Sequence, residues 1–179
     1  AKNGFSIFSE LGWRTILAGN YISEFDPDFY NWNQMIVDYL DYWGNAVVED
    51  MVSDKSGNTF ISLQGRGVLK LNGKQPVESK LFSAANGDME PTFDSQTYVL
   101  PGQLAVDSQE NVWATTKFVR EGASVLSILT PNDSVYHVNQ YQGGLSSRSV
   151  KSIAIDNNDM VWIGSQVRTE LQASGGIDF

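Results

Sequence analysis

The sequence has no cysteine, one histidine and only five prolines in its 179 residues. The first absence excludes a disulfide scaffold and thiolate metal sites. The second leaves a histidine triad or a zinc centre short of parts, and His137 falls in an expected outer strand. Charged residues make up only 18%, against roughly 25% in an average globular protein. Positive charge is scarcest: 12 Lys and Arg face 21 Asp and Glu, a formal net charge of −9. That balance argues against binding nucleic acid or docking on an anionic membrane. No apolar run reaches the roughly 18 residues that span a bilayer, so no membrane insertion is expected. No cofactor is implied. Apolar residues still make up 41%, enough for packed sheets in a chain of this length.

What the chain does have is repetition. Met51-Val52-Ser53-Asp54, then Gly57-Asn58-Thr59-Phe60-Ile61, matches Leu104-Ala105-Val106-Asp107 followed by Glu110-Asn111-Val112-Trp113-Ala114. Both match Ile153-Ala154-Ile155-Asp156 followed by Asp159-Met160-Val161-Trp162-Ile163. The aspartates step by 53 and then 49 residues, and Phe60, Trp113 and Trp162 keep the same steps. Short strands at such a period are the mark of propellers and related arrays, whose units cannot bury their faces alone.

Each unit reads as a four-stranded antiparallel meander. In the last repeat, Val150 to Ile155 and Met160 to Ser165 are strands about an Asp/Asn turn, and Gly176 opens a third strand. The turn aspartate can accept a backbone N–H two residues on. Gly57 suits a positive φ, whereas Glu110 and Asp159 at the same place predict a different turn type. The regular aromatics are expected to fill the space between neighbouring sheets.

The fold class is therefore all-β: a β-propeller segment of about three and a half four-stranded blades with one short helical insertion. Residues 1–17 form the rear half of a blade, 18–45 an insertion, 46–82 a full blade and 83–100 a long connector. A second full blade covers 101–141, and 142–179 are the front part of a further one. The chain reads as a piece of a longer polypeptide, or as half of a ring closed by a second copy.

The insertion carries Trp32, Met35, Ile36, Tyr39, Leu40 and Trp43 on one helical stripe, which predicts a helix over 31–43. That stripe either packs the helix down or leaves Tyr39 or Trp43 open as a carbohydrate or peptide platform. Glu24, Asp26 and Asp28 read as a solvated acidic loop rather than a calcium site, and no metal site is expected. The longest links fall between fourth and first strands, and between second and third strands. Both kinds emerge on one face of such a disc, and loops on a rigid scaffold are where binding is usually housed. Arg120, Glu121, Arg168 and Glu170 sit in the second-to-third links, where arginine can hold a carboxylate or sulfate. The candidate ligand-binding set is Tyr39, Trp43, Phe118, Arg120 and Arg168.

The stretch Gly144-Leu145-Ser146-Ser147-Arg148-Ser149-Val150, continuing through Ile153, Ile155 and Asp156 to Val161-Trp162-Ile163-Gly164-Ser165, resembles the two-component-regulator propeller repeat. That repeat reads roughly G-L-x-x-N-x-V-x-x-I-x-x-D-x-x-G-x-I-W-I-G-T. Departures are Arg148 for Asn, Asp159 for Gly and Ser165 for Thr. The resemblance implies the periplasmic sensor propellers of Bacteroidetes-type hybrid histidine kinases. It equally suits the PorZ-like propellers of type IX secretion. The expectation is a non-catalytic periplasmic or cell-surface module that senses an oligosaccharide or protein ligand on its loop-rich face. The alternative is a structural adaptor using that face for protein partners. A lyase or glycosidase would need an acid–base pair that the motifs do not offer.

Overall fold

A computed structural model of the chain describes residues 4–9, 12–17, 47–72, 80–167 and 175–179. β1 (Gly4–Ser9) and β2 (Gly12–Leu17) pair as a two-stranded sheet. Sheet I contains β3 (Val48–Ser53), β4 (Asn58–Leu63), β5 (Gly67–Asn72) and β6 (Lys80–Phe82). Sheet II contains β7 (Pro101–Val106), β8 (Val112–Thr116), β9 (Ser124–Leu129) and β10 (Val135–Asn139). Sheet III contains β11 (Val150–Ile155), β12 (Val161–Ser165) and β13 (Gly176–Asp178). Every pairing is antiparallel and every sheet runs in chain order, so the all-β meander units hold. No helix occurs among the described residues. The helix expected over 31–43 lies outside them, with Tyr39, Trp43, Glu24, Asp26 and Asp28.

Burial explains why these segments take these places. β4 and β5 are apolar and buried along most of their length, as strands covered on both faces should be. β3 alternates half-buried and exposed residues, the period of a strand with one wet face. Between sheets I and II, Phe60 and Phe82 pack against Leu104, Val112 and Leu129. Between sheets II and III, Val125 and Leu126 meet Val150, Ile153 and Ile163. The first strands touch in succession, β3 with β7 and β7 with β11. Full burial of a side chain such as Phe60 contributes about 3 kcal/mol.

The three repeat aromatics do not share one environment. Phe60 is 2% exposed, within the seam between sheets I and II. Trp113 is half-buried against the seam between II and III. Trp162, expected between sheets, is instead 41% exposed, and its ring lies 5.3 Å from that of Phe179. Val161 and Ile163, its neighbours, point into the seam with sheet II, so Trp162 faces away from it.

The hairpin turns also depart from expectation. Glu110 and Asp159 have φ of 68° and 60°, in the same left-handed region as Gly57 at 92°. One turn type therefore serves all three repeats. In each, the aspartate carbonyl accepts the N–H three residues on, at 3.4, 3.1 and 3.0 Å. Each aspartate carboxylate also accepts the N–H four residues on, from Asn58, Asn111 and Met160. The two non-glycine residues stay left-handed because their side chains are engaged elsewhere. Glu110 Oε2 accepts the backbone N–H of Lys55 at 2.7 Å. Asp159 Oδ1 accepts that of Ser108 at 2.8 Å, and Ser108 Oγ donates to Asp159 Oδ2. The turns of sheets II and III are thus each stitched to the turn of the sheet before.

Candidate functional site

An antiparallel meander puts its first and third turns at one end and its second turn, with the link to the next sheet, at the other. Residues 64–66, 83–100, 117–123 and 140–149 therefore gather on one rim, opposite the Asp turns.

The long connector 83–100 is seated firmly there. Gly65 N donates to Val99 O at 2.7 Å and Lys117 N to Leu100 O at 2.8 Å. Thr92 bridges Val119, and Phe93 N donates to Phe118 O at 2.8 Å. The connector's tip closes on itself, with Thr92 N donating to Tyr98 O at 2.9 Å. Tyr98 covers Gly65 so closely that a Cβ there would meet its ring at 2.7 Å.

Arg120 is exposed, but its guanidinium is already in use. Nη2 donates to Ser95 O at 2.9 Å and Nε to Phe93 O at 3.5 Å, so it latches the connector tip to the 117–123 loop. Phe118, beside it, is half-buried with a left-handed φ of 58°. The structure thus brings Phe118 and Arg120 together, while Tyr39, Trp43 and Arg168 lie outside the described residues.

Three rim aromatics escaped the motif reading: Phe93, Tyr98 and Tyr141, all about half exposed or more. For Phe93 and Tyr98 the signal was available, since aromatics in a long link between strands have no strand face to fill. Tyr141 Oη donates to Glu121 Oε1 at 3.0 Å, and that bond, with the carboxylate's charge, raises the phenol above its usual pKa.

Nearer the first strands lies a charged cluster that no repeat pattern indicated. Glu49 on β3 pairs with Lys117 through Oε1 and accepts from Gln64 Nε2 at 2.6 Å through Oε2. The bond from Lys117 is the main reason its carboxyl sits below the usual range. Burial opposes it, while Gln64 and the charges of Lys117 and Lys151 add to it. A Cβ on Gly102 would lie 2.9 Å from Lys117 Cε, so this glycine makes room for the lysine to reach across. Among the described residues no group of three or more His, Asp and Glu is placed to hold a metal. His137 is exposed on β10, on the far side of sheet II from β7.

No family model matches the sequence, and no curated protein matches it. Among solved structures, the chain is similar to the extracellular domain of BT3049 from B. thetaiotaomicron, described as a hybrid two component system. Identity is 18%, covering 91% of this chain and 20% of that one, with a TM-score of 0.51. The extracellular domain of BT4673 from the same organism, also described as a hybrid two component system, shares 14% identity. It covers 77% of this chain and 19% of that one at a TM-score of 0.49, too low to add an argument. The chain spans about a fifth of the length of each of these structures. At such identities the likeness is one of fold: this chain is built as part of the BT3049 extracellular domain is built.

Proposed function

We propose that the chain is a non-catalytic extracytoplasmic module, a β-propeller segment from a bacterial two-component regulator of the hybrid sensor kinase type, which senses a ligand on its loop-bearing rim. The observation that carries this reading is the seating of connector 83–100 against 117–123. It holds Phe93, Tyr98 and Phe118 around the Arg120 latch on a rigid stack of sheets. Flat aromatic faces beside hydrogen-bonding groups suit an oligosaccharide or a peptide. The fold likeness to the extracellular domain of BT3049 supports the sensor setting. Meander sheets stacked through their first strands support the propeller arrangement. Phe118 and Arg120 belong to the proposed surface directly. Tyr39, Trp43 and Arg168 join it as proposals from their place in the sequence.

A thermal-shift screen against charged and neutral oligosaccharides tests the reading. Binding raises the melting temperature by mass action, and Phe93→Ala or Arg120→Ala lowers that rise. Silence across the whole panel would move the assignment to the protein-adaptor role on the same rim.

A further inference from the structure

We infer that the crevice between sheets II and III is a binding site for a small amine, an apolar body carrying one ammonium group. A cavity of about 520 Å³ opens there, a size typical of ligand pockets. Sheet II lines it with Trp113, Leu126 and Val138, sheet III with Val161 and Ile163, and the 140–149 link with Leu145. The neighbouring seam explains why space remains. Counted across the ladders from the repeat aromatic, Trp113, Leu126 and Val138 correspond to Phe60, Val68 and Phe82 of sheet I. Between sheets I and II that trio is buried with Met89 and Val99 from connector 83–100. Between sheets II and III a valine stands for Phe82, and the shorter link supplies Leu145 for Met89 and Val99. Less apolar bulk enters the same place, and well-packed interiors rarely leave such a gap.

One carboxylate gives the cavity its chemistry. Asp178 pairs with Ile163 across the ladder and so shares the face that Ile163 turns to the seam. The corresponding position of sheet II, opposite Ala114, is the buried Ser127. Asp178 is held in place by Ser146, whose N–H donates to Oδ1 at 3.0 Å and whose Oγ donates to Oδ2 at 2.9 Å. Each oxygen keeps a lone pair for a further donor. Trp113 offers the cavity a ring and no donor, because its indole N–H is committed to Asp107. Among the described residues that line the cavity there is no Lys or Arg. An ammonium is therefore the complement of Asp178, and a chain of net charge −9 attracts it. The indole face suits a flat apolar body. The site shares no residue with the surface around Phe93 and Arg120, so its failure would leave the sensing reading in place.

The test titrates the full chain at neutral pH with phenethylamine, phenethyl alcohol and phenylacetate, three probes of one ring and three head groups. Methyl chemical shifts of Leu126 and Val161 are followed. The amine should shift both, binding about fivefold or more tighter than the alcohol, and phenylacetate should bind weakest. Asp178→Asn should bring the amine to the affinity of the alcohol. Val138→Phe, which restores the bulk that sheet I carries, should weaken the amine about tenfold or more by filling the cavity, with the melting temperature read alongside to show that the variant is folded. Unmoved Leu126 and Val161 methyls with the amine would overturn the inference. So would equal binding of amine and phenylacetate, or an Asp178→Asn variant that still prefers the amine, because the carboxylate would then not select the head group.

Discussion

Trp113 Nε1 donates to Asp107 Oδ2 at 2.9 Å, so the aromatic that packs between sheets II and III also closes the turn that begins its own hairpin. The same carboxylate takes the Asn111 amide at 2.9 Å. Asp54 has no indole to serve, and its carboxylate takes the Asn58 Nδ2 at 2.6 Å and the Asn58 backbone N–H at 2.8 Å. In sheet III the corresponding indole bond is long, 3.4 Å from Trp162 to Asp156, and solvent reaches it. The bond is shortest where the tryptophan is packed.

Trp113→Phe keeps most of the ring's packing and removes this one donor. The expected loss is about 1–2 kcal/mol, the worth of a hydrogen bond to a charged group in a half-buried place. Trp162→Phe, at an exposed and longer bond, should change stability by less than about 0.5 kcal/mol. Urea denaturation of the two variants checks the contrast, and equal losses would contradict it.

Glu110→Gly sets two effects against each other. Glycine relieves left-handed strain worth roughly 1 kcal/mol. It also loses the charge-assisted bond to the Lys55 N–H, worth about 1.5–3 kcal/mol where Glu110 is mostly shielded. The exposed ammonium of Lys55 adds little. The net expectation is a destabilisation of about 1 kcal/mol. A stabilised variant would mean that the link between turns contributes nothing.

Acid should weaken the stack through particular carboxyls. Burial pushes Asp107 up, but hydrogen bonds from Trp113, the Asn111 side chain and the N–H groups of Asn111 and Gln109 outweigh it and hold it below its usual value. Glu49 is lowered in the same sense by Lys117. A carboxyl depressed in the folded state adds stability that is fully present above its unfolded pKa, about 4. That stability is lost as pH falls through the lower folded value. Asp107→Asn should therefore flatten the stability loss below about pH 4 while leaving the neutral-pH slope unchanged. Chemical denaturation from pH 7 down to 2 reads this directly.

Gly67, the first residue of β5, is the least replaceable of the described glycines. Its φ is 130°, and a Cβ would lie 1.9 Å from Phe82 O, a backbone atom that cannot swing away. Gly67→Ala is expected to cost about 3 kcal/mol or more, enough to uncouple β5 from β6. Gly57→Ala has the strain without the clash, since nothing lies within 4 Å, and should cost about 1 kcal/mol. Melting temperatures in that order check the reading.

The strands were legible because alternation and Asp/Asn turns are local properties, and each aspartate does bond within its own hairpin. Positive φ at Glu110 and Asp159 was not legible. Local preference opposes it, and the compensating bonds come from a neighbouring sheet. The exposure of Trp162 was hidden for a related reason, since its motif matches that of Trp113 and only the neighbour differs.

At the rim, loop length marked the links that gather there, but the role of Arg120 as a latch depends on carbonyls at Phe93 and Ser95 in another loop. Glu49, Gly102 and Lys117 meet only once the sheets stack, so no pattern in the chain announces them.

The account stands on the sheets being stacked in chain order, turn joined to turn, because that order is what collects the loops on one rim. Residue-resolved amide exchange of the 179-residue protein tests it in one experiment. Lys55 and Ser108, at solvent-facing turns, should exchange at least tenfold more slowly than Asn157, the equivalent amide with no partner among the described residues. Equal exchange at all three amides would contradict the stacking and the rim built on it.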